Sequence, residues 1–138
     1  HILEDETESI RMRERVAVGL GALGSPRDTA TLTIVATNRR LPRRLRWNAT
    51  YGLGYILRGA CDEQTVTLLS AILEDEAEDR YVRWTAAYAL GFSNSQKGLQ
   101  TLLRVITKPD LPYDIKLRVI ESLSRYSDDE VIDLHNTA

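Results

Sequence analysis

Four stretches of this chain repeat one pattern: MRERVAVGLG from Met12, LRWNATYGLG from Leu45, VRWTAAYALG from Val82 and IKLRVIESLS from Ile115. Their starts lie 33, 37 and 33 residues apart. Each opens on an apolar residue followed by Arg or Lys. Ala or Val stands four places after the first, then come a small residue, Leu, and Gly or Ser. A shared motif at this period marks stacked copies of one supersecondary unit, each too small to bury its own apolar face.

A longer register runs through the same units. ILEDETES from Ile2 returns as ILEDEAED from Ile72, and Leu41-Pro42 returns as Leu111-Pro112, both at an offset of 70. A pair of units therefore reads as the element that was doubled. Ile2–Glu8 looks like the tail of an earlier copy, so the chain is expected to be a piece of a longer one. The whole of 1–138 is expected to form one repeat domain, with units near 9–38, 41–75, 79–108 and 111–138.

Each unit reads as two helices. Val82, Ala86, Ala89 and Leu90 follow the i, i+4, i+7, i+8 stripe of an amphipathic first helix. Gly19, Gly52, Ala89 and Ser122 share one position in it. A mid-helix glycine costs about 1 kcal/mol against alanine, so a partner helix is expected to approach closely there. The second helices open at cap-like residues. Ser25-Pro26-Arg27-Asp28 puts proline at the first helical position, and Ser127-Asp128-Asp129-Glu130 has capping-box spacing. Apolar runs follow, such as Val66, Leu68, Leu69 and Ile72. No stretch alternates as a strand does, and the chain is expected to be all-α.

The pattern V-R-x-x-A-A-x-A-L-G, nearly complete in Val82–Gly91, resembles the HEAT-like repeats named after phycobilisome lyases. The resemblance covers nearly the whole chain and is weakest in the last unit, where Ser124 replaces the closing glycine. It implies a right-handed α-α superhelix, a solenoid of about four helix pairs, with the second helices lining the concave face. It chooses no function, because scaffolds, lyase subunits, sensor regions of signalling ATPases and some DNA-repair enzymes carry such repeats. The iron-binding His-Glu pairs of the HEAT-like hydroxylases are missing from this sequence.

Composition narrows the chemistry. The two histidines, His1 and His135, stand at the ends, so the commonest general base and metal ligand are absent from the body. The single Cys61 fits a reducing compartment, and its neighbours Asp62 and Glu63 disfavour a reactive thiolate. The chain is therefore expected not to be an enzyme and to need no cofactor or metal. No apolar run has membrane-spanning length, and a cytoplasmic location is expected.

GLGALG, Gly19 to Gly24, matches a nucleotide-loop spacing but closes a helix instead of opening one. Repeat grammar explains it. The acidic clusters Glu4–Glu8 and Glu74–Asp79 lack the alternating ligands of a calcium loop. They occupy turns between units, where charge usually means solvation.

Two features remain as candidate binding elements. Trp47 and Tyr51 recur as Trp84 and Tyr88. At about 100° per residue, Trp84 and Tyr88 fall roughly 200° and 240° round from Val82, away from a core stripe centred near 30°. Stacked units should gather the four rings, either as a partner-binding patch or as sideways packing between neighbouring first helices. The arginines of NRRLPRRLRW, namely Arg39, Arg40, Arg43, Arg44 and Arg46, lie in a turn flanked on both sides by the acidic turns. Neutralisation along that edge is the first reading, an acidic protein partner the second. Nucleic acid comes last, since the net charge is −2 and the basic residues do not continue from unit to unit in the sequence.

The leading expectation is an interaction scaffold or sensor module, one form being the repeat region of a multidomain signalling ATPase. Its site would comprise Trp47, Tyr51, Trp84, Tyr88, Arg39, Arg40, Arg43 and Arg44. Its partner would be a protein or adjacent repeats of the same polypeptide, with self-association through exposed solenoid ends and no membrane contact. The alternatives are a nucleic-acid-binding module and a bilin lyase-type subunit.

Overall fold

The computed structural model describes residues 29–59 and 62–126. The first motif copy, the GLGALG stretch, the first acidic cluster, Cys61, both histidines and the cap-like segments at Ser25 and Ser127 lie outside the described residues. Among those described there are six helices and no strand: α1 (Thr29–Thr37), α2 (Arg43–Gly59), α3 (Glu63–Glu74), α4 (Arg80–Leu90), α5 (Gln96–Ile106) and α6 (Tyr113–Leu123). The all-α solenoid expected from the repeat is what forms.

The helices make two layers. The motif helices α2, α4 and α6 lie side by side, α2 against α4 and α4 against α6. In the other layer α3 packs on α5, while α1, α3 and α5 rest most heavily on the motif helix that follows each of them. The core sits between the layers. Val82, Ala86, Ala89 and Leu90 of the amphipathic stripe are all fully buried, as are Leu45, Ala49 and Leu53 of α2 and Ile115 and Val119 of α6. They face Leu32, Val66, Leu69, Leu73, Leu99 and Leu102 of the second layer. Burying such a side chain stabilises the fold by about 1.5–3 kcal/mol before entropy is counted.

Short polar residues start the helices. Asp62 accepts from the Gln64 N–H and from the Thr65 hydroxyl ahead of α3. Asp79 accepts from the N–H groups of Tyr81 and Val82 ahead of α4, and Ser95 from Gly98 N–H ahead of α5. Each satisfies backbone donors that the first helical turn leaves without partners. Pro112 precedes α6 without a side-chain cap, its fixed φ setting the entry instead.

The spacing of the motif helices is set where small residues meet. A methyl group placed on Gly54 would lie 2.9 Å from Ala89 Cβ and 3.3 Å from Ala89 Cα. One unit on, a methyl on Gly91 would lie 2.9 Å from Ser122 Cβ. The closing glycine of each motif thus meets the small residue of the next. The sequence points to Gly52 as a site of close approach on α2; the residue that lies against Ala89 is Gly54, two positions further on. Ser122 reinforces the contact by donating its hydroxyl to the Ala87 carbonyl at 2.7 Å. The turn after α6 is held back onto α4 by Tyr126, whose hydroxyl donates to the Leu90 carbonyl at 2.9 Å.

This contact makes a definite prediction. Gly54→Ala should not gain the ~1 kcal/mol that alanine normally brings to a helix, and Gly54→Leu should lose about 1–3 kcal/mol by overpacking. Urea midpoints of the two variants measure this, and a stabilised Gly54→Leu protein would show that α2 and α4 are not so close.

Candidate interaction face

Among the described residues the second residue of the motif is buried where it is arginine, at Arg46 and Arg83, and exposed where it is Lys116. Arg83 Nε donates to the Leu73 carbonyl at 3.0 Å, tying α4 to the last turn of α3. Its counterpart Arg46 donates from Nη1 to Glu78 Oε1 at 2.6 Å, with both side chains nearly enclosed. Glu78 in turn accepts from the Asp79 N–H at 2.7 Å. A guanidinium offers a rigid fork of donors that stays charged, which suits it to a buried turn.

Two other arginines of the NRRLPRRLRW run reach the same turn. Arg39 is ion-paired with Asp75 and lies 3.8 Å from Glu78, and Arg43 is 3.9 Å from Asp79. Arg39, Arg43 and Arg46 therefore converge on the 75–79 turn, one repeat downstream. Arg40 is exposed and makes no ion pair among the described residues. The pattern continues along the edge, where Arg80 grips Asp114 through Nε at 2.8 and 2.9 Å. On the other layer Arg104 holds Glu74 at 2.7 and 3.0 Å.

The four repeated rings lie on the outer face of α2 and α4, turned from the core as their helical angles require. Tyr51 of α2 stacks on Tyr88 of α4, with centroids 5.8 Å apart and planes at 3°. Trp84 stacks on Tyr88 at 6.4 Å and 11°. Trp47 and Trp84 rest on the core edge while half-buried. Tyr55 and Phe92 extend the row, edge-on to Tyr51 and Tyr88 at 5.0 Å each. The Tyr51 hydroxyl donates to Tyr55 at 3.5 Å. That hydrogen bond, burial and the nearby Tyr88 push the Tyr51 phenol up to about 12, so it stays neutral.

Between these rings the surface is hollowed. A groove of about 440 Å³ is lined by Arg43, Arg44, Trp47, Tyr81, Trp84 and Asp114. A second of about 580 Å³ lies among Trp47, Tyr51, Trp84, Tyr88, Arg118 and Arg125. Both include Trp47 and Trp84, so together they form one trough over α2, α4 and α6. Of the expected site residues, Trp47, Tyr51, Trp84, Tyr88, Arg43 and Arg44 border this trough. Arg39 and Arg40 lie in the turn ahead of α2.

The repeat pattern did not foretell the cations on this face. Arg118 sits 3.8 Å from the Trp84 centroid and 5.0 Å from Tyr88. Arg125 sits 4.0 Å from Phe92 and 4.9 Å from Tyr88, and Arg58 is 4.6 Å from Phe92. Basic residues that do not recur along the sequence are thus gathered on the folded surface from α2, α6 and the turn after α6. Only Arg58, in the last turn of the ring-bearing α2, carried a signal in the sequence.

Residues 66–134 match the sequence profile of the HEAT repeats. No curated protein sequence matches the chain. Human deoxyhypusine hydroxylase, solved in complex with glycerol, superposes with a TM-score of 0.74 at 20% identity, over 99% of this chain and 43% of that one. The complex of CpcE and CpcF of phycocyanin lyase from a Nostoc species superposes at 0.66 and 20% identity, over 88% of this chain and 50% of that one. This chain therefore spans half or less of the length of these two proteins. The expectation that it is not an enzyme is overturned by these likenesses. The same helical framework serves a hydroxylase and a lyase complex, so this fold is compatible with enzymatic activity. Among the described residues no helix is long and apolar enough to cross a membrane.

The edge ion pairs predict an acid limit. Glu74 is held below the usual glutamate value of 4.5 by Arg104. Asp75 is held below the usual 3.8, first by the Ala77 N–H and then by Arg39, and Asp114 by Arg80. These carboxyls bind protons less readily folded than unfolded, so their contribution is complete above the ordinary values and lost as pH falls through the depressed ones. Denaturant midpoints should hold steady from neutrality down to about pH 5 and fall below about pH 4. A midpoint that rises on acidification would contradict this.

Proposed function

This chain belongs to the HEAT-repeat family, and we propose that it is an interaction module whose docking surface is the aromatic trough over α2, α4 and α6. The observation that carries the reading is the stacking of Tyr51 on Tyr88 beside Trp47 and Trp84 in a continuous hollow. Rings fixed by their neighbours give large contact area at little further entropy cost, which is the composition of interface hot spots. The partner is a protein or another part of a longer polypeptide, and the lone cysteine fits a place in the cytoplasm.

The trough also supplies its own reporter, because the sequence contains two tryptophans and both line it. Peptides selected from a random display library against the folded chain should shift tryptophan emission on binding. They should lose about tenfold or more in affinity on Tyr88→Ala, with the helical circular dichroism unchanged. Selected peptides that leave the emission unaltered, or tolerate Tyr88→Ala, would place the interaction elsewhere and overturn the reading.

A further inference from the structure

The arginines at one end of the trough carry a further inference, which rests on the docking reading and gives the partner its chemistry. Arg58, Arg118 and Arg125 come from α2, α6 and the turn after α6, yet all lie on rings of α4 or on Phe92, two residues past its end. Phe92 has the Arg58 guanidinium at 4.6 Å and that of Arg125 at 4.0 Å from its centroid. Tyr88 has Arg118 at 5.0 Å and Arg125 at 4.9 Å. The carboxylate that answers them is Glu121, 3.0 Å from Arg118 and 3.4 Å from Arg125. Arg58 is exposed and pairs with no carboxylate among the described residues.

Three guanidinium groups thus stand against one carboxylate, in a chain whose net charge is −2. Part of the excess is offset by the negative ends of the helices, since Arg58 lies in the last turn of α2 and Arg125 just past α6. The helix ends do not require the cations to converge, however, and stacking on shared rings does bring them together. Stacking also removes much of the side-chain freedom an arginine would otherwise lose on binding an anion.

We infer that the trough receives an acidic peptide segment, its carboxylates meeting Arg58, Arg118 and Arg125 while an adjacent large apolar side chain lies between Trp47 and Trp84. The 580 Å³ hollow beside the arginines has room for such a side chain. Carboxylates favour this occupant over a nucleic acid for a geometric reason. Glu121 and Asp114 interrupt the basic face, so a backbone with a phosphate at every step would bring negative charge onto them. A peptide can space its charges to avoid both.

The test uses the whole chain and a blocked peptide, Glu-Glu-Leu-Phe-Glu-Glu, which carries no tryptophan. Its Gln-for-Glu counterpart and a short oligothymidylate serve as comparisons, with tryptophan emission as the readout. The acidic peptide should bind, and its Gln counterpart should bind about tenfold or more weakly. Arg58→Gln should weaken the acidic peptide several-fold and Arg58→Glu more, whereas Lys97→Glu on α5, carrying the same charge change on the other layer, should leave it within about twofold. Equal binding of the Gln peptide would overturn the charge inference while leaving the docking reading intact. Tighter binding of the oligothymidylate would assign the arginines to phosphate and overturn the inference. Failure of the acidic peptide to bind would overturn it too, and the library selection would still decide separately whether the trough docks peptides at all.

Discussion

The contact of Gly54 with Ala89, repeated as Gly91 with Ser122, governs how near the motif helices lie. Helix separation depends on the side chains at the contact, and here one partner contributes none. Tyr51 stands three residues before Gly54 on α2 and Tyr88 one before Ala89 on α4, so both rings lie close to the contact. They can therefore stack at 5.8 Å instead of standing apart. The tryptophans, a helical turn earlier, are left over a hollow. One steric constraint in the motif thus positions both the fold and the face that projects from it.

Electrostatics acts on the same frame in two separable ways. Arg46 and Arg83 are enclosed: Arg46 fixes the turn before the next motif helix through Glu78, and Arg83 ties its own helix back to α3 through the Leu73 carbonyl. Removing one member of such a buried pair strands the other charge at a cost of about 3–5 kcal/mol. The exposed edge pairs are individually weak, about 0–1 kcal/mol each, and their effect is to discharge a basic run that looks like a nucleic-acid site on paper. The cations stacked on Tyr88 and Phe92 belong to neither set. They cluster at one end of the trough, and their charge is only partly answered within the chain.

How far the sequence disclosed this follows from the range of each signal. Periodicity is local, so the helix pairs, the buried stripe through Val82 and Leu90, and the outward turn of Trp84 and Tyr88 could all be read from spacing. The acidic turn lies one repeat beyond the arginines, and the repeat length gave the means to pair them. The cluster of Arg58, Arg118 and Arg125 could not be read in that way. Arg58 lies past the end of the motif, while Arg118 and Arg125 stand where the second and third units carry Asn48 and Thr85, and Tyr55 and Phe92. Only the lateral packing of α2, α4 and α6 brings them together. The question of enzymatic activity also lay beyond pattern, since one helical framework carries both a hydroxylase and a lyase complex.

The most direct measurement is the nuclear Overhauser spectrum of the native chain, which reports proton pairs closer than about 5 Å and so reads the side-chain contacts on which close packing depends. The account predicts cross-peaks between the Ala89 methyl and the Gly54 α-protons, together with cross-peaks between the Tyr51 and Tyr88 rings. Ring-to-ring peaks without the Gly54 contact would show that some other constraint holds α2 to α4, and the central claim would fall.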